Sequence, residues 1–187
     1  MMIVAIRNFV CIIGLIIILP ILSLIAMFIV LEDGFPPFFA QERLGMNKKI
    51  FKIYKIRTMK NNAPQLGTHE VKDFFQLRSG TFARTFKLDE FPQLINVLKG
   101  DINLIGPRPG LITQIELDKA RTKHGIFNIK PGITGLSQIL GFDMSDPFRL
   151  SEIDKIYMVN SSAKLDSMIL IGTFFKFPRK YICSMLN

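Results

Sequence analysis

The sequence is poor in the residues that build covalent or metal-held scaffolds, with two cysteines and two histidines among 187 residues. Cys11 lies inside an apolar run, so a structural disulfide with Cys183 is not expected. His69 and His124 are distant from one another and stand beside no cysteine. That excludes a zinc-finger pattern and leaves both as surface imidazoles. No Ser-His-Asp or Cys-His set for nucleophilic catalysis can be assembled. Gly106 and Gly110 form neither a P-loop nor a dinucleotide fingerprint. There is no internal repeat, no low-complexity tract, and no charged residue from Asn8 to Leu31.

The missing charge at the N-terminus is informative. A helix crosses a bilayer with about 20 apolar residues, and this run is long enough. It is too long for the apolar region of a signal peptide, and no small-residue cleavage site follows it, so it is expected to be retained. Pro20 stands mid-run, where it removes a backbone donor and should kink the helix. Two topologies fit: a bent span, or a re-entrant helix that returns to the side it entered. Ser23 could back-bond to a carbonyl and help the bend. From the residues alone the bent span is favoured. Downstream, Arg43, Lys48, Lys49, Lys52, Lys55, Arg57 and Lys60 put the following chain in the cytoplasm by the positive-inside bias. They also offer contacts to anionic headgroups.

Lysine and arginine number 24 against 15 acids, a formal charge of +9. Such an excess points to an anionic partner, and nucleic acid, lipid headgroups and phosphorylated substrates all qualify. Beyond a membrane segment at 1–31, residues 32–187 read as one globular domain. Gly34-Phe35-Pro36-Pro37 ends the first helix. Apolar and basic residues alternate through Ile50–Thr58, a half-exposed strand. Asn61–Thr68 is a polar loop and Lys72–Thr85 holds a short helix. Leu88–Leu98 reads as a helix with Leu88, Phe91, Leu94, Ile95 and Leu98 on one face, Pro92 in the first turn and Gly100 at the end. An apolar stretch, Ile102–Ile105, leads into the rigid Gly106-Pro107-Arg108-Pro109-Gly110. Helices are expected at Ile112–Lys123 and Ser151–Val159, and a turn or loop at Lys130–Gly135. Met168–Phe177 suits either core or a membrane interface. The fold class is α+β: a mostly helical small domain with a short β-hairpin or sheet and a kinked N-terminal helix.

Asp89 and Glu90 begin the Leu88 helix. Read locally, they are a cap and a dipole-matched acid. The same location keeps a carboxylate ionised, and an ionised carboxylate can attack phosphorus. Adjacent helical residues point about 100° apart, so a divalent cation between them and a diphosphate would let both contribute. Arg108, framed by prolines, is either a rigidly presented phosphate ligand or an incidental turn residue. Arg84 is a second candidate, with the same alternative.

The stretch Leu88-Asp89-Glu90-Phe91-Pro92-Gln93-Leu94-Ile95-Asn96-Val97-Leu98-Lys99-Gly100-Asp101, followed by Gly106-Pro107-Arg108-Pro109, resembles the signature of the bacterial sugar transferases known as monotopic phosphoglycosyl transferases. Gln41-Glu42-Arg43-Leu44-Gly45, Phe51–Met59 and Lys130-Pro131-Gly132-Ile133-Thr134-Gly135 agree with it, in the right order along nearly the whole chain. The length matches the small members that hold only the catalytic core.

The resemblance implies transfer of a sugar 1-phosphate from a nucleoside diphosphate sugar to a polyprenol phosphate through a covalent phosphosugar–enzyme intermediate, with Mg2+ required. Asp89 would be the nucleophile and Glu90 its metal-binding or acid–base partner, both holding the metal; Arg84 and Arg108 would hold phosphates. Expected partners are a nucleoside diphosphate sugar such as a UDP-sugar, polyprenyl (undecaprenyl) phosphate, membrane lipids and, as one option, a second copy of the chain; nucleic acid is not expected. The family's N-terminal helix is re-entrant, broken at a Ser-Pro pair. It sits in the bacterial inner membrane with both ends in the cytoplasm. Pro20 matches that break, and Leu19 replaces the serine. Many relatives carry Trp where this chain has Leu136, and Gly-Arg where it has Gly141-Phe142. Those departures motivate an alternative: a catalytically silent membrane-bound relative that acts as a binding partner in glycan assembly.

Overall fold

The N-terminal run forms a single helix, α1 (Met2–Asp33), in the computed structural model, which describes residues 2–64, 73–175 and 182. The helix continues through Pro20. Among the described residues it is the one helix long and apolar enough to cross a membrane. Gly34, at φ +74°, ends it, with its N–H donating to the Val30 carbonyl at 2.9 Å. Two strands follow, β1 (Phe38–Leu44) and β2 (Ile50–Ile56), paired in a two-stranded sheet. The Arg57 N–H donates to Pro37 O at one end of this hairpin and the Gly45 N–H to Lys49 O at the other, both at 2.9 Å. The alternation through Ile50–Thr58 foretold β2. It did not reveal β1, whose less exposed positions include Gln41 and Arg43 and so carry no apolar period.

By packing, the chain divides into two compact units. The first comprises residues 1–41 and 52–100. It contains α1, a 3-10 turn at Asp73–Phe75, α2 (Arg78–Thr85), a second 3-10 turn at Leu88–Glu90, and α3 (Gln93–Lys99). Its core joins Ile18, Leu22, Ile25 and Ile29 of α1 to Ile56, Leu77 and Ala83, with Leu88 and Phe91 packed alongside. The α1 positions follow helical spacing, so one face of the helix is buried. Phe9, Ile16, Ile17, Leu24, Phe28 and Leu31 on α1 are exposed. An apolar surface of this extent is what a membrane-facing helix presents.

The expected Leu88–Leu98 helix is divided. Asp89 and Glu90 lie in the 3-10 turn, and Pro92, which has no N–H, stands at the N-cap of α3. Neither the turn nor α3 has a side-chain cap, so Asp89 is not the cap of this helix. The buried face also differs. Ile95 is exposed, while Gln93, Asn96 and Val97 are buried. The cause is Asn96. Its Oδ1 accepts from the Tyr54 N–H at 3.1 Å and its Nδ2 donates to Lys52 O at 2.7 Å, which docks α3 on the backbone of β2.

The second unit comprises residues 42–51 and 101–187. It contains β3 (Asn103–Ile105), α4 (Ile115–Lys123), a 3-10 turn at Ile126–Asn128, β4 (Gly132–Thr134), α5 (Leu136–Leu140), α6 (Pro147–Asn160) and α7 (Ala163–Phe174). β3 and β4 run parallel, with Asn103 opposite Gly132 and Ile105 opposite Thr134. Lys130–Gly135 reads as a turn or loop from its sequence, and its middle is a strand. The backbones are so close that a Cβ on Gly132 would lie 2.1 Å from Gly106 N, so glycine here serves close approach rather than turning. Helix α6 starts four residues before the expected Ser151, because the Asp146 side chain caps it, accepting from the Arg149 N–H at 3.0 Å, and Pro147 suits its first turn. The core consists of Leu136, Ile139, Ile153, Tyr157, Leu165, Ile169 and Ile182. Within Met168–Phe177, Ile169 faces this core while Leu170, Ile171, Phe174 and Phe175 are exposed. Lys176 and Phe177 lie outside the described residues, as do His69, Cys183 and part of the expected Asn61–Thr68 loop. The architecture is the expected α+β class, mostly helical with small two-stranded sheets and a long apolar N-terminal helix.

Candidate active site

Three of the four residues singled out from the sequence belong to the first unit. Lys87, in the left-handed region at φ 55°, turns the chain out of α2 and into the Leu88–Glu90 turn. Its N–H donates to Arg84 O at 3.0 Å, which ties the turn to the end of α2. Asp89 is buried, at 8% exposure. Glu90 is half-buried, and its Oε1 lies 3.5 Å from Lys55 Nζ on β2. Arg84 donates from Nε to Thr58 Oγ1 at 2.8 Å. Gly80 lets α2 approach Thr58 this closely, because a Cβ there would fall 2.3 Å from Thr58 O.

Glu32, near the C-terminal end of α1, fixes the start of α2. Its carboxylate accepts from the Arg78 N–H at 2.7 Å, the Ser79 N–H at 3.1 Å and the Ser79 hydroxyl at 2.7 Å. It thereby satisfies donors that a helix start leaves open. Burial pushes the Glu32 carboxyl up, and the Ser79 hydroxyl and backbone N–H bonds outweigh it, so its pKa lies below the ordinary value. Arg57 is also spent on this scaffold. It is buried, donates to Gly34 O at 2.6 Å and lies 3.5 Å from Asp33. Of the seven basic residues expected near headgroups, Lys48, Lys49, Lys52 and Lys60 are exposed.

Arg108, the fourth candidate, belongs to the second unit. Its loop is fixed through successive carbonyls. Pro107 O accepts from the Gly132 N–H at 3.0 Å, Arg108 O from Arg121 Nη1 at 2.8 Å, Pro109 O from Arg43 Nη1 at 3.2 Å, and Gly110 O from the Leu44 N–H at 3.0 Å. Arg121 in turn pairs with Asp154, both buried, through Nε at 3.0 Å and Nη2 at 2.6 Å.

Within the first unit, a buried carboxylate, an adjacent half-buried acid and an arginine tied to Thr58 are groups that suit phosphoryl chemistry, in which positioning and charge stabilisation carry most of the catalysis. Among the described residues no group of three or more His, Cys, Asp and Glu is set to hold a metal.

The bacterial sugar transferase family matches residues 2–180. The chain belongs to that family. Among curated members it is 39% identical over 145 residues to the uncharacterized sugar transferase EpsL of Bacillus subtilis, covering 76% of this chain and 70% of EpsL. It is 35% identical over 161 residues to the UDP-N-acetylgalactosamine-undecaprenyl-phosphate N-acetylgalactosaminephosphotransferase of Aeromonas hydrophila, covering 82% of this chain and 38% of that enzyme. It is 34% identical over 171 residues to the UDP-glucose:undecaprenyl-phosphate glucose-1-phosphate transferase of Klebsiella pneumoniae, covering 87% and 37%. The chain thus spans well under half of these two longer relatives.

Within this sugar transferase, Lys55, Thr58 and Gln93 went unassigned in the sequence although each lies in a stretch that carries the family likeness. Lys55 and Thr58 read as strand residues, and only the fold brings them to Glu90 and Arg84. Gln93 is buried, and its Nε2 has no hydrogen-bond partner among the described residues. The departures at Leu136 and Phe142 have packing roles: Leu136 is in the core of the second unit and Phe142 packs against that core.

Proposed function

We propose that this sugar transferase moves a sugar 1-phosphate from a nucleoside diphosphate sugar, of the UDP-sugar class, to undecaprenyl phosphate through an intermediate on Asp89. The observation that carries the proposal is the buried Asp89 beside half-buried Glu90, in a turn held between Arg84 and α3. The names of the Aeromonas and Klebsiella relatives support both substrate classes, and the two differ in their sugar, so the sugar itself is left open. A buried donor without a partner, Gln93 Nε2, also suits a site that takes a polar ligand.

In the first step an Asp89 carboxylate oxygen attacks the phosphorus that bears the sugar. The bond from that phosphorus to the bridging oxygen breaks, and nucleoside monophosphate leaves with the electron pair. In the second step a phosphate oxygen of the polyprenol attacks the same phosphorus and releases the Asp89 carboxylate. Arg84 and Arg108 offset charge on the phosphates. Magnesium, held by Asp89 and Glu90, would supply further neutralisation.

A re-entrant α1 with the catalytic part on the cytoplasmic side belongs to this reading; the family resemblance at Pro20 and the basic residues that follow the helix support it, although α1 itself runs unbroken through Pro20. Gly14 lies against Leu94 of α3, and the buried stripe of α1 runs on to Ile29. At 1.5 Å per residue that contact is about 22 Å long, most of the ~30 Å hydrocarbon thickness. A helix crossing the bilayer would carry α3, with Gln93 and Asn96, into hydrocarbon, where polar groups are costly. A helix that stays within one leaflet would leave them at the interface, where the acceptor's phosphate lies.

The test is release of nucleoside monophosphate by protein purified in lipid, with magnesium, undecaprenyl phosphate and a panel of nucleotide sugars. Release that requires one donor and the lipid supports the reading; no release with any donor counts against it. For topology, cysteines placed before Val4 are labelled from either side of the membrane. Labelling from the outer side would sink the re-entrant arrangement.

A further inference from the structure

The buried Arg121–Asp154 pair has no part in the chemistry above. A buried ion pair is weak evidence for stability, because desolvation offsets much of its attraction. Its hydrogen bonds point to another use. Asp154 on α6 accepts from Arg121 Nε at 3.0 Å and Nη2 at 2.6 Å through Oδ2, and from the Ser137 hydroxyl on α5 at 3.1 Å through Oδ1. The remaining arm of the guanidinium, Nη1, donates to the carbonyl of Arg108 at 2.8 Å. Three helices therefore converge, through one carboxylate and one guanidinium, on a single peptide oxygen.

That oxygen belongs to the residue that carries the phosphate-binding side chain. Pro107 and Pro109 fix φ on either side, and the carbonyls of residues 107, 109 and 110 are already held. With Arg108 O also held, four successive carbonyls of this loop are hydrogen-bonded. Lysine could not replace Arg121 here. It keeps the charge facing Asp154 but lacks the planar fork that binds a carboxylate and a carbonyl at once.

We propose that Arg121, oriented by Asp154 and Ser137, is a positioning residue that fixes the peptide of Arg108 and so sets where the Arg108 guanidinium meets phosphate. This rests on the reading of Arg108 as a phosphate ligand. The Arg108 side chain can deliver its charge at a fixed place only if its own peptide does not swing, and Arg121 is what holds that peptide's oxygen.

The experiment is a double-mutant cycle on the full chain in lipid, using Arg121→Lys, Arg108→Ala and the pair. Nucleoside monophosphate release gives kcat and KM, and thermal unfolding is recorded for each protein. Arg121→Lys is expected to lower kcat/KM by about 10- to 100-fold, the scale of a displacement near 1 Å at a reacting group. In the Arg108→Ala background the same substitution should cost little more, because residues acting as one unit are not additive. A merely structural role predicts equal losses in both backgrounds, and that result, or undiminished kcat/KM for Arg121→Lys, overturns the proposal. If Arg108→Ala alone keeps wild-type kcat/KM, the phosphate role of Arg108 fails, and the proposal falls with it through an arm that leaves Arg121 intact. Should Arg121→Lys not fold, Ser137→Ala takes its place in the cycle. Its smaller loss, about 2- to 10-fold on the scale of one weakened hydrogen bond, must likewise vanish in the Arg108→Ala background, and additivity there is equally decisive against the proposal.

Discussion

Gly80 touches no reacting group, yet its replacement should reach Arg84 and Thr58. In an ordinary helix Gly→Ala stabilises by roughly 0.5–1 kcal/mol. Here the added Cβ would stand 2.3 Å from Thr58 O, 2.7 Å from its Cα and 2.8 Å from its carbonyl carbon, all backbone atoms that cannot rotate away. Ordinary contact begins near 3.4 Å, so α2 and the Thr58 backbone must separate by about 1 Å. Overpacking of this kind costs about 1–3 kcal/mol, which reverses the sign expected of helix propensity. The same movement stretches the 2.8 Å bond from Arg84 Nε to Thr58 Oγ1 and shifts the guanidinium. Displacement on that scale near a reacting centre lowers turnover by up to about 100-fold. Thermal unfolding and kcat/KM for nucleoside monophosphate release, measured on Gly80→Ala in lipid, test both parts. A raised midpoint with full turnover would refute the reasoning, because it would mean that the contact yields without cost.

Two further substitutions probe the scaffold. Asn96→Ala removes both bonds to β2 from a fully buried position and should cost about 2–3 kcal/mol, read as a lowered denaturation midpoint; Ile95→Ala, on the exposed side, should cost far less. Glu32 has a depressed pKa, so its contribution to stability is present above its ordinary value of 4.5 and is lost as pH falls through the lower folded value. Stability of Glu32→Gln should therefore fall less steeply than wild type as pH drops below about 5, and parallel profiles for the two proteins would contradict the role given to this carboxylate.

What could be read from the sequence was the chemistry that is local in the chain. The uncharged run gave α1, the alternation through Ile50–Thr58 gave β2, and the long motif around Asp89 pointed to the acids and to the family. What failed did so where tertiary contacts outweigh local pattern. Helical periodicity put Ile95 inside, but the amide of Asn96 has backbone partners on β2 and turns the helix the other way. Asp89 looked like a cap, but Pro92 at the start of α3 leaves the acids in a separate 3-10 turn. Gly132 looked like a turn residue because sequence cannot distinguish a glycine that turns from one that admits a neighbouring strand. Arg121 and Asp154 carried no local signal, since their pairing spans 33 residues.

The central claim is that Asp89 is the nucleophile. Purified protein in lipid, given a donor nucleotide sugar and magnesium but no polyprenol phosphate, can be quenched, digested and analysed by mass spectrometry. The account predicts a sugar phosphate on the peptide that contains Asp89, formed with one equivalent of nucleoside monophosphate and absent from Asp89→Asn. An adduct on another residue, or near-normal turnover by Asp89→Asn, would contradict it.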